Sequence, residues 1–151
     1  MSKYKEQYER VLRWYQRFKN YNKGILHDKD SNYYLDEIYA FFINCYHLKD
    51  WVKNDNTNTI DVGDIESFIN NSRNICADLC NGLKHLELTR FRVDRDTKFG
   101  KKNYQVGLGT QPTTIAVKIE IIADNNNYDA FDLASDCIKD WEKYLKLKNL
   151  I

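Results

Sequence analysis

Asn71, Asn74, Asp78, Asn81 and His85 follow one another at spacings of three, four, three and four, which puts three amides, a carboxylate and an imidazole on one helical face. Asn and Asp are each about 0.5–0.7 kcal/mol worse than Ala in a helix interior. Lys, Glu or Gln would solvate the same face at less cost, so these residue types point to a task beyond solubility. A histidine one turn after an amide can serve as general acid or base while the amide positions a phosphate or hydroxyl. On that reading His85 and Asn81 form the catalytic pair, Asp78 supports them, and Lys84 supplies charge to an anion. The competing reading is a solvated face with His85 placed favourably at a helix C-terminus.

Two further groups belong with this stripe. His47 and Asp50 are three residues apart on an earlier helix, so the carboxylate can orient and charge the imidazole, and Trp51 adjoins them. The first helix interleaves Arg10, Arg13, Arg17 and Lys19 with Trp14 and Tyr21. Arg90, Arg92, Arg95, Lys98, Phe99, Lys101 and Lys102 continue the pattern on a later hairpin. Arginines for phosphates and aromatics for stacking bases are the ordinary means of single-strand recognition. Arg13 and Arg17 therefore join His47 and Asp50 as binding residues. A metal site built from His47, Asp78 and His85 has no ligand-spacing signature, and neither metal nor cofactor is expected.

Hydrophobic periodicity sets the elements that must hold these groups. Tyr4, Tyr8, Val11, Tyr15 and Phe18 define a helix over about 2–21. A second, over about 30–53, starts at Asp30 or Ser31 and carries two apolar stripes, Tyr34-Ile38-Phe41-Cys45-Leu48-Val52 and Leu35-Tyr39-Phe42-Tyr46, as a central helix would. A third, over about 62–85, is capped by Asp61, and its polar stripe lies about 140° from its core face. The period then changes to two, giving strands over about 87–94, 102–108 and 113–122, separated by the turn-like stretches DRDTKFGKK and GTQPT. A last helix covers about 129–146. The expected fold is α+β, predominantly α, in one domain spanning 1–151: a four-helix bundle with a small three-stranded antiparallel meander inserted before the last helix.

Composition agrees with a folded domain: 151 residues, 42% hydrophobic and 30% charged, leave room for a real core. No apolar run approaches a membrane span, and the amino terminus lacks the apolar segment of a signal peptide, so the expected location is cytoplasmic with no membrane partner. Cys45, Cys76, Cys80 and Cys137 are expected as buried free thiols. The net charge of +1 conceals +5 over residues 2–23, −6 over 24–87 and +3 over 88–124, an asymmetry suited to polyanion binding or to self-association. Three Trp, eleven Tyr and seven Phe exceed what one core needs, which suggests a subunit interface and a homodimer.

The run Cys80-Asn81-Gly82-Leu83-Lys84-His85, closing a helix late in a helical bundle, resembles the HEPN superfamily. That resemblance implies a metal-independent endoribonuclease site made of an Arg, a polar residue and a closing His, usually completed across a homodimer. His85 matches the histidine and Asn81 the polar position, whereas the arginine position is held by Cys80, which cannot carry a phosphate's charge as a guanidinium can. Two functions stay open: RNA or nucleotide binding and processing, and a non-catalytic protein-interaction or dimerisation module.

Overall fold

The computed structural model describes residues 2–72, 77, 78, 80, 97–107 and 113–151, with the side chains of 70–72 left aside. Among these the chain forms α1 (Lys3–Lys23), β1 (Ile25–Leu26), α2 (Ser31–Asn54), α3 (Val62–Ser72), β2 (Lys98–Val106), β3 (Thr114–Ala123), β4 (Asn126–Asp129) and α4 (Ala130–Leu147). Residues 77, 78 and 80 are helical as well. The fold is α+β, with four helices and a four-stranded antiparallel sheet among the described residues.

The helices form where periodicity and caps require. Asp30 caps α2, its Oδ1 accepting from the amides of Asn32 at 2.8 Å and Tyr33 at 3.1 Å. Asp61 caps α3 through the amide of Asp64 at 3.1 Å. Every member of the first α2 stripe is buried, as are Leu35, Phe42 and Tyr46 of the second. α1 runs antiparallel to α2, since Tyr4 meets Asp55, Gln7 meets Asn44 and Tyr21 meets Glu37. α4 closes the core: Phe131 packs on Tyr15 and Phe18, and the fully buried Trp141 donates from Nε1 to the Cys45 carbonyl at 3.1 Å.

The capping of α1 is unusual because its partner comes from elsewhere in the chain. Ser2 stands at the N-cap but makes no capping bond, and its hydroxyl is buried without a partner. Asp55, at the end of α2, takes over: Oδ2 accepts from the Tyr4 amide at 3.1 Å, and Oδ1 from the amide and hydroxyl of Thr57 at 2.9 and 2.7 Å. The Thr57 bonds chiefly, with those from Tyr4 and Lys3, hold the Asp55 carboxyl at about 2. That is below the unfolded value of about 3.9, so its contribution to stability is complete above that pH and disappears as pH falls towards about 2. Asp55→Ala is expected to lower Tm at neutral pH by about 2–8 °C, measured by thermal unfolding. Asp55→Asn should also flatten the acid limb of a stability-against-pH curve.

In the sheet, β3 is central and alternates without a break, Ile115, Val117, Ile119, Ile121 and Ala123 being buried. β2 pairs along one edge of β3, while β1 and β4 share the other end to end, β1 opposite Thr114–Ile115 and β4 opposite Glu120–Ala123. The inner face of β3 packs on α1 and α4.

Several boundaries differ from the sequence expectation. The strand expected at 102–108 begins at Lys98, so part of DRDTKFGKK is strand; a bulge between Phe99 and Lys102 absorbs Gly100 and Lys101. β1 was not expected: Gly24, at φ 118°, ends α1 and turns the chain directly onto β3. β4 was not expected either. Asp124 and Asn125, both at positive φ, make a two-residue turn after β3, and the returning strand delays the last helix to Ala130. The strand expected at 87–94, and the third helix beyond Ser72 apart from residues 77, 78 and 80, lie outside the described residues.

Candidate functional site

The antiparallel α1–α2 seam gathers polar groups near the C-terminal half of α2. Gln7, only 2% exposed, donates from Nε2 to the Asn44 carbonyl at 3.3 Å and to Asn44 Oδ1 at 3.2 Å. Its Oε1 accepts from Arg10, whose guanidinium lies 5.7 Å from the centroid of the Trp51 ring. A fixed line of groups, Asn44, Gln7, Arg10 and Trp51, thus crosses from one helix to the other.

On the outer side of α2, His47 Nδ1 lies 3.0 Å from Asp50 Oδ2, with the two side chains 29% and 40% exposed. Lys49 donates to Asp50 Oδ1 at 2.7 Å, and its ammonium sits 5.0 Å from the Tyr46 ring centroid. Burial pushes the Asp50 carboxyl up, but the hydrogen bonds from Lys49 and then His47 outweigh it and leave the group below the ordinary carboxylate range. Asp50 is therefore the anionic centre of a His47–Asp50–Lys49 cluster. With Nδ1 on the carboxylate, Nε2 is the ring nitrogen not used in that contact, and an imidazole so oriented can exchange a proton through it.

The remaining predicted residues are distributed differently. Arg17 pairs with Glu37 at 3.3 Å and stacks 4.7 Å from the Trp14 ring centroid. Glu37 also accepts from the Tyr21 hydroxyl at 2.9 Å. Glu37 and His47 are ten residues apart on one helix, about 15 Å along its axis, so Arg17 does not reach the His47 cluster. Arg13 is exposed between the two Arg–Trp stacks.

Asp78 is fully buried instead of wetted. It shares that burial with Ala77 and Cys80, and the three span about 160° of helix surface, so this turn is covered well beyond its apolar face. Cys80 donates from Sγ to the Phe42 carbonyl at 3.0 Å. Cys45 and Cys137 are likewise buried and outside any disulfide. His85, Asn81 and Lys84, with Asn74, lie outside the described residues. Among the described residues no three His, Cys, Asp or Glu side chains are grouped as metal ligands, and no helix is long and apolar enough to cross a membrane.

Gln7 and Asn44 were not singled out from the sequence, although a signal was present: Gln7 interrupts the apolar stripe of α1 between Tyr4 and Val11. A buried amide needs a buried partner, and only the α1–α2 alignment names it.

Compared with known proteins, the chain matches no family model, no curated protein and no solved structure. The described site is that of an α+β domain with an Arg- and Trp-bearing helix seam beside a His–Asp–Lys cluster.

Proposed function

We propose that the chain is an RNA or nucleotide binding and processing protein similar to HEPN domains, acting as a metal-independent endoribonuclease with His85 as acid or base and Asn81 positioning the ligand. The observation that carries this reading is the His47–Asp50–Lys49 cluster lying on the same helix segment as Trp51, itself stacked by Arg10. Phosphate-seeking cations, a stacking ring and an imidazole with a bound carboxylate are the parts that RNA handling uses. Asp78 supports the stripe from within, and Arg13, Arg17 and Lys84 serve the phosphate backbone. Cys80 is buried and bonded to a main-chain carbonyl, so the charge that an arginine would give at that position has to come from these other cations. The same reading takes the four helices as one bundle that works as a cytoplasmic homodimer.

Binding of a labelled single-stranded RNA, followed against salt, tests the reading. Log K is expected to fall linearly with log salt, by about 0.7 for each phosphate contact, and Arg13→Gln should remove about 0.7 from the slope. Absence of both binding and cleavage in a nuclease-free preparation would overturn it.

A specific observation favours the second reading, a dimerisation or protein-interaction module. Ala40, Ile43, His47 and Trp51 are half-buried at spacings of three, four and four, on a side of α2 turned away from its buried stripe. Sedimentation of a stable dimer with no affinity for RNA would select that function instead.

A further inference from the structure

Beside the His47 cluster, Lys3, Asp50, Trp51, Asn54 and Asp55 line an open groove of about 370 Å³, within the range of about 300–1,000 Å³ that small-molecule sites occupy. The chemistry left free in it is limited. Asp55 is occupied by Thr57 and the Tyr4 amide, and Asp50 by His47 and Lys49. Asn54 spends its amide N–H on the Asp50 carbonyl at 2.8 Å, which leaves its Oδ1 as an acceptor. Lys3 is exposed and has no carboxylate partner among the described residues. The wall that remains is the Trp51 indole, held in place because Arg10 rests on it and is itself fixed by the buried Gln7.

The geometry points to a subsite for one unpaired nucleobase, stacked on Trp51, with its phosphate on Lys3 and an edge N–H donated to Asn54 Oδ1. An indole wall offers any base a π-face, whereas a paired base inside a duplex cannot enter, so the groove selects single-stranded over double-stranded nucleic acid. Two carboxylates line the groove against one free ammonium, so a bare anion is held poorly there and ring stacking has to supply most of the binding. A planar ring carrying one phosphate supplies that stacking and uses the single ammonium. This inference rests on the nucleic-acid reading above and adds to it the place where a base is held.

The chain has three tryptophans, so their indole N–H signals in a nitrogen-15 correlation spectrum give a site-specific test, with Trp51→Phe assigning the relevant signal. Adenosine monophosphate should shift the Trp51 signal saturably and leave the buried Trp141 unmoved, while inorganic phosphate at the same concentration shifts neither. Single-stranded oligoadenylate should act as the monophosphate does, and the duplex of the same sequence should not. By ligand-observed saturation transfer, Trp51→Ala should weaken monophosphate binding about tenfold or more, and Lys3→Gln about two- to fivefold. Trp51→Phe retains a stacking ring and most of the binding, which separates loss of stacking from loss of fold. A silent Trp51, an equal response to phosphate alone, or movement of Trp14 in its place would each overturn the subsite. RNA binding that persists with Trp51 silent removes the groove and leaves the proposed function standing. A Trp51 that responds in a protein with no RNA binding or cleavage supports the groove and removes the function.

Discussion

Trp141→Ala is expected to destabilise the domain by about 3–5 kcal/mol, a large part of the 5–15 kcal/mol typical of a whole domain, and to lower Tm by roughly 6–20 °C. Trp141 is fully buried where three helices meet. Phe68 of α3 contacts its ring edge-on with centroids 4.9 Å apart, Tyr144 lies 6.1 Å away on α4, and Nε1 donates to the Cys45 carbonyl of α2. Truncation removes the largest fully buried side chain and leaves a cavity that the surrounding helices can close only in part. It also deprives a buried carbonyl of one donor. Trp141→Phe separates the two effects: most of the packing is kept while the Nε1 bond is lost, so a smaller cost of about 1–2 kcal/mol is expected. Chemical denaturation of both variants, read as a shift in midpoint at constant m, measures the difference. If Trp141→Ala unfolds within about 1 kcal/mol of wild type, this three-helix junction is not a principal source of stability.

The same residues show which parts of the molecule sequence reading reaches. The stripes of α1, α2 and α4 and the alternation of β3 are one-dimensional patterns, and Tyr34, Ile38, Phe41, Cys45, Leu48 and Val52 are all buried as their spacing requires. β1 has no such pattern. Two residues become a strand only because Gly24 sets them beside Thr114 and Ile115. β4 did carry a local signal, since Asp124-Asn125 is a pair that tolerates positive φ, but no apolar run follows it to mark a strand. Lys98 and Lys101 sit in a stretch whose crowded charges read as a turn, yet both lie within β2. The site divides in the same way. His47–Asp50 is an i, i+3 pair and was legible, whereas Arg10 on Trp51 and Gln7 on Asn44 depend on how two helices align. Asp78 shows the limit of helical arithmetic, which gives an angle from the core stripe but not how many sides of a helix are covered.

His85→Ala is expected to reduce single-stranded RNA cleavage by about 10²–10⁴-fold, the usual contribution of a positioned acid or base. Because such a group acts in the transition state, the loss should fall on kcat with KM nearly unchanged. Asn81→Ala, removing a donor that positions the reacting phosphate, should cost about 10²-fold. Asp50→Asn is the more discriminating variant. It keeps an oxygen for His47 Nδ1 but removes the negative charge that both His47 and Lys49 contact, so an imidazolium there loses its counter-ion and Lys49 its anchor. If His47 supports cleavage, Asp50→Asn should lower the rate about tenfold while leaving the salt slope of RNA binding unchanged. Were His47 and Asp50 only an exposed i, i+3 pair, the substitution would cost a few tenths of a kcal/mol of stability and nothing in rate. Full activity in His85→Ala would remove the catalytic assignment. Full activity in Asp50→Asn alone would confine chemistry to the His85 stripe and leave the α2 cluster a role in binding.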